Sequence, residues 1–132
     1  MVTWDEVERI ATSLPEVTEG TSWGNRCWKV KGKTFVWDRP LRKTDLAHLG
    51  EAAPIGEIAG VRVADAVEKQ AVLDTFAEVF TIPHFDHYNA VLIHLDVAEL
   101  PTVEELVVDA WLCMAPPKLA ERYAADHGLS ER

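Results

Sequence analysis

The chain has 132 residues, 48% of them apolar, and a formal net charge of -9. That suits one folded domain with a real core, argues against disorder, and disfavours unspecific attraction to nucleic acid or anionic membranes. No apolar run approaches the roughly 20 residues a bilayer span needs. The N-terminal MVTWDEVERI lacks the basic and apolar regions of a signal peptide, so a cytoplasmic protein is expected. Cys27 and Cys113 lie far apart and form no C-x-x-C, which argues against a disulfide framework or a cysteine-rich zinc site.

Thr3 with Glu6 three residues on is a capping-box pattern, and Trp4, Val7, Ile10, Ala11 and Leu14 follow at helical spacing. The spacing predicts a helix near 4–13, stopped at Pro15. EVTEGTSWGN reads as a short strand or loop leading to a turn. CWKVKGKTFVWD (27–38) reads as a β-hairpin: Trp28 and Val30 alternate with Lys29 and Lys31, Gly32 supplies the turn, and Thr34 to Trp37 are strand formers. LRKTDLAHLG offers a short helix with Thr44 as its cap and Gly50 as its stop.

EAAPIGEIAG is loop-like, and GVRVA is a short strand. Asp65 and Glu68 mark the start of a helix over 66–76. TIPHFDHY reads as a turn feeding the buried strand NAVLIHL, with Asp86 and Asn89 as turn formers. Thr102 and Glu105 form a second capping-box pattern ahead of Val103, Leu106, Val107, Ala110, Trp111 and Met114, a strongly amphipathic helical series. Pro116 and Pro117 end it, and a last helix spans 117–126. With strands in the middle and helices at the ends, the fold class is α+β: a single domain with a central antiparallel sheet covered by helices on one side.

Charge is unevenly spread. Arg26 to Lys43 holds seven basic residues and one acid, a segment of +6 in a remainder of -15. Lys29, Lys31, Lys33, Arg39, Arg42 and Lys43 are candidate phosphate contacts, with Trp28 and Trp37, and Trp23 nearby, as stacking faces where exposed. The plain alternative is that the lysines keep an edge hairpin soluble. GKT at 32–34 is no phosphate-binding loop, since Cys27 stands where that pattern needs glycine and TFVW reads as strand.

His84, Asp86 and His87 supply only two nearby histidines, short of the donor set zinc needs, so no metal ligand is assigned. His84 instead joins Trp23 and Tyr88 as a candidate pocket. No nucleophile–base pattern is visible, so no catalytic residue is assigned and an enzyme is not expected.

The segments LPEVTEGTSWGNRCWKVKGKTFVWDRP (14–40), GVRVADAVEK (60–69), TIPHFDHYNAVLIHLD (81–96) and VDAWLCMAPPKLAERY (108–123) together resemble the MmcQ/YjbR family of small bacterial proteins, over about residues 4–124. The resemblance implies a CyaY-like α+β fold and, through a likeness to a double-wing motif, DNA as partner. No catalytic motif and no cofactor come with it. Three functions stand open. One is a non-enzymatic module binding DNA or another polyanion through the basic hairpin. Another is a small-molecule or protein-interaction domain with a pocket near Trp23, His84 and Tyr88. A metal-binding protein, by analogy with the CyaY-like fold, is third. A monomer or weak homodimer is expected.

Overall fold

A two-residue hairpin turn of type I′ follows the strands' right-handed twist and needs φ above zero at both central residues. The chain meets that demand twice in succession. Trp23 and Gly24 have φ of 53° and 81°, and Lys31 and Gly32 have φ of 49° and 83°. These turns join β1 (Val17–Ser22), β2 (Asn25–Val30) and β3 (Lys33–Asp38), with Ser22 paired to Asn25 and Val30 to Lys33. The stretch left between strand and loop at 17–22 is therefore a full strand, making a three-stranded meander rather than one hairpin.

The computed structural model describes residues 1–129. Beyond the meander lie α2 (Lys43–Leu49), β4 (Ile58–Arg62), α3 (Ala66–Thr75), β5 (Val79–Phe80), β6 (Ala90–His94), α4 (Leu100–Met114) and α5 (Pro117–Asp126), with α1 (Trp4–Thr12) ahead of it. The six strands form one antiparallel sheet in the order β1-β2-β3-β4-β6-β5.

One face carries the main core. Val7, Ile10 and Ala11 of α1 and Val103, Leu106, Val107, Ala110 and Trp111 of α4 pack on Trp28, Val30, Val36, Val61, Val91 and Ile93. Each of the valine, isoleucine and leucine side chains among them contributes roughly 1.5–3 kcal/mol on full burial. A register shift between Trp28 and Lys29 against β3 lets Phe35 and Val36 both enter this core. The Trp111 indole N–H donates to the Pro15 carbonyl at 3.1 Å and ties the end of the first helical segment to α4.

The sheet's other face is not bare, and this corrects the expectation of helices on one side only. Strand alternation sends Ile58, Ala90 and Leu92 there, where they meet Ile82, Phe85, Trp37, Leu41, Leu49 and Phe80. This second layer is built from α2 and the 3-10 turn Pro83–Phe85. None of its members comes from β1 or β2, so it stops partway across the sheet.

Four local expectations change. Strand β4 begins at Ile58, inside the stretch read as loop, and β5 is a two-residue strand too short to leave a pattern. Helix α4 begins at Leu100, ahead of Thr102, because Pro101 sits in the first turn, where its missing N–H costs nothing. Helix α2 is capped not by Thr44 but through Asp45, whose carboxylate accepts from the Arg42 backbone N–H at 2.9 Å. The Thr3/Glu6 capping box and the Asp65 cap form as expected. No helix among the described residues is long and apolar enough to cross a membrane.

A candidate anion-binding cleft

Where the second layer ends, a cleft of about 720 Å³ opens over the sheet. Its lining comes from the β1–β2 turn (Ser22, Trp23, Asn25), from β3 and the residues after it (Lys33, Thr34, Trp37, Asp38, Arg39, Arg42), from Arg62 on β4, from His84, Phe85 and Tyr88 of the turn before β6, and from Met114. Trp23, His84 and Tyr88, sixty residues apart in sequence, thus share one cavity.

Each wall has a local cause. Trp37 lies over Gly60, its partner across β3 and β4; a Cβ on Gly60 would come within 2.5 Å of the indole, so only glycine leaves room for the ring. The 82–89 segment folds back through a 3-10 turn and His87 at φ 64°. Lys69 of α3 holds it there: its ammonium donates to the carbonyls of Phe85 at 2.7 Å and Tyr88 at 3.0 Å. Burial lowers the Lys69 pKa, and Asp86 partly opposes that. Phe85 meets Tyr88 edge to face at 5.4 Å, and the Arg62 guanidinium lies over the Tyr88 ring at 4.7 Å while its Nε donates to the Asn89 carbonyl at 3.0 Å.

The basic segment divides. Lys33 and Arg42 reach the cleft together with Arg62, a cation the charge pattern did not single out because it stands alone in a strand. Others are neutralised: Lys31 by Glu16 at 3.0 Å, and Arg26 by Glu19 at 3.0 Å and Glu8 at 3.2 Å. The Arg26 hydrogen bond is the main cause holding the Glu19 carboxyl below its ordinary value. Lys29 runs alongside Gly20 on the meander, and Lys43 lies exposed at the start of α2.

Two assignments are corrected. Trp28 is 0% exposed and stacked on Trp4 at 6.0 Å, so it cannot offer a face to a ligand. Arg39 is not a surface cation. It is 5% exposed, paired with Asp45 at 3.1 Å, bonded to the Pro40 carbonyl and set against Phe85. Its Nη2 nonetheless finds no acceptor among the described residues. Asp38 also carries a buried carboxylate oxygen without a partner among the described residues, and burial first, then Glu57, raises its pKa above the ordinary 3.8 despite Arg26.

The His84 ring lies tilted against Phe85 at 6.2 Å, and His94 is tied to the Ile55 carbonyl at 2.8 Å. No group of three or more His, Cys, Asp or Glu among the described residues is placed to hold a metal ion.

The fold matches that of the crystal structure of Deinococcus radiodurans protein DR2400, a DUF419 domain, with a TM-score of 0.64 over 98% of this chain and 91% of that one; at 14% identity the likeness is one of fold. The YjbR family pattern covers residues 12–113, and the chain belongs to the YjbR family. An uncharacterized protein of Mycobacterium tuberculosis and one of Mycobacterium bovis are each 42% identical to it over 97% of this chain and their whole length.

Proposed function

We propose that the protein is a non-enzymatic binding module whose cleft takes an anionic partner. The observation that carries this is convergence: Lys33, Arg42 and Arg62 come from three separate stretches to one concavity, against Asp38, in a chain of net charge -9. Cations gathered in a concave site focus the field on an incoming anion, while the acidic surface around it repels polyanions that do not fit. The lining offers fixed positive charge and aromatic faces, groups that hold a ligand, rather than a paired nucleophile and base.

Duplex DNA, the partner that the family resemblance implies, is the less favoured occupant. A wing laid along a phosphate backbone needs a row of mobile cations on a convex edge. Here Lys31 and Arg26 are matched by glutamates and Arg39 is buried.

Calorimetric titration with inorganic pyrophosphate tests the reading. The account expects binding that weakens as salt rises and is lost in the triple variant Lys33→Gln/Arg42→Gln/Arg62→Gln. Salt-independent binding, or equal binding by that variant, would end it.

A further inference from the structure

We infer that the anion taken by the cleft is small and carries a planar aromatic ring, on which Trp23 stacks. This rests on the anion-binding reading above and narrows it to a ligand class.

The argument starts at Trp23. It stands at the tip of the β1–β2 hairpin, 90% exposed, with φ of 53°. Both conditions are unfavourable. The first central position of such a turn favours asparagine, aspartate or glycine, and a bulky side chain there is strained. An indole left in water forgoes the burial of a large apolar surface. Among the described residues no aromatic ring or cation packs against Trp23 to offset either cost, and the side chain stays 90% exposed. A costly residue at a cavity rim is explained when the missing contact comes from a ligand.

The rest of the lining fits such a ligand in two halves. Trp37 and Tyr88 add aromatic surface beside Trp23, and Lys33, Arg42 and Arg62 supply charge. Arg62 already lies over Tyr88, so the two halves meet. The nearly enclosed Arg39 adds a fixed positive charge to the same lining, held in place by Asp45. The volume of about 720 Å³ lies inside the roughly 300–1,000 Å³ of small-molecule sites.

The test compares two monophosphates on the intact protein: adenosine 5′-monophosphate, which has a ring, and ribose 5-phosphate, which lacks one. Binding is followed by calorimetry and tryptophan fluorescence, for wild type and Trp23→Asn. Asparagine suits the turn, so that variant keeps the fold. Expected is roughly ten-fold tighter binding of the ring-bearing phosphate, lost in Trp23→Asn with ribose 5-phosphate unaffected. Equal affinity for the two phosphates, or unchanged nucleotide binding by folded Trp23→Asn, overturns the ring while leaving the anion reading intact. A single-stranded oligonucleotide bound more tightly per site than the mononucleotide overturns the small ligand. No binding of either phosphate or of pyrophosphate overturns both readings.

Discussion

The pair Arg39–Asp45 joins β3's end to α2 in a site where both side chains are almost wholly enclosed. Removing one partner strands the other's charge in a poor solvent. Asp45→Ala should therefore cost about 3–5 kcal/mol in urea unfolding, whereas Arg39→Met/Asp45→Leu together should recover much of it. Asp38 presents the opposite case, a carboxyl whose pKa is raised chiefly by burial. A raised acid favours the native state below the ordinary 3.8, and that contribution is lost as pH climbs through the native value. Asp38→Asn should thus melt above wild type at pH 7, and the difference should close in scans taken below the ordinary carboxylate range. Much at this scale was open to sequence reading and some was misread. The period of two that sends Lys29 and Lys31 outward sends Trp28 and Val30 inward, so that parity already argued against Trp28 as a stacking face. The burial of Arg39 left no such trace, because it depends on where α2 folds back to bring Asp45 beside it.

At the scale of elements, the cleft depends on two devices. One is the close approach of Trp37 to Gly60. Gly60→Ala should push the indole aside, lower stability by about 1–3 kcal/mol and change the near-UV circular dichroism of the tryptophans. The other is the Lys69 clasp on the 82–89 segment. Lys69→Met removes two hydrogen bonds from a charged donor, should cost about 1.5–3 kcal/mol, and should raise amide exchange at Phe85–Tyr88 more than in the sheet. Helix α1 was legible from periodicity and its capping box, α3 from the Asp65 cap, α4 from periodicity alone and α5 from the prolines ahead of it, and the 27–38 hairpin from alternation around Gly32. The turn character of TIPHFDHY was legible too, from Pro83, Asp86 and Asn89. Its clasp was not, since Lys69 lies on another element and only the packing of α3 beside β6 brings it there.

For the whole molecule, the sheet order decides which residues share the cleft. Placing β4 between β3 and β6 sets Lys33 of β3 and the aromatic 82–89 segment on either side of Arg62. The charge is uneven along the sequence, and the fold sorts the basic segment into cations paired with Glu8, Glu16 and Glu19 and cations that line the cleft. Trp23, His84 and Tyr88 were named together from sequence, and they do line one cavity. What sequence could not supply was Arg62, whose partners are set by strand pairing. The central claim is that the cleft, and not the hairpin edge, is where an anion binds. The measurement that tests it most directly is pyrophosphate affinity, by calorimetry at low ionic strength, of Arg42→Ala/Arg62→Ala beside Lys29→Ala/Lys31→Ala. Each pair removes two positive charges, so bulk charge is matched. The account predicts a loss of roughly ten-fold or more in the cleft variant and little change in the hairpin variant. Equal losses in the two, or a larger loss in the hairpin variant, would contradict it.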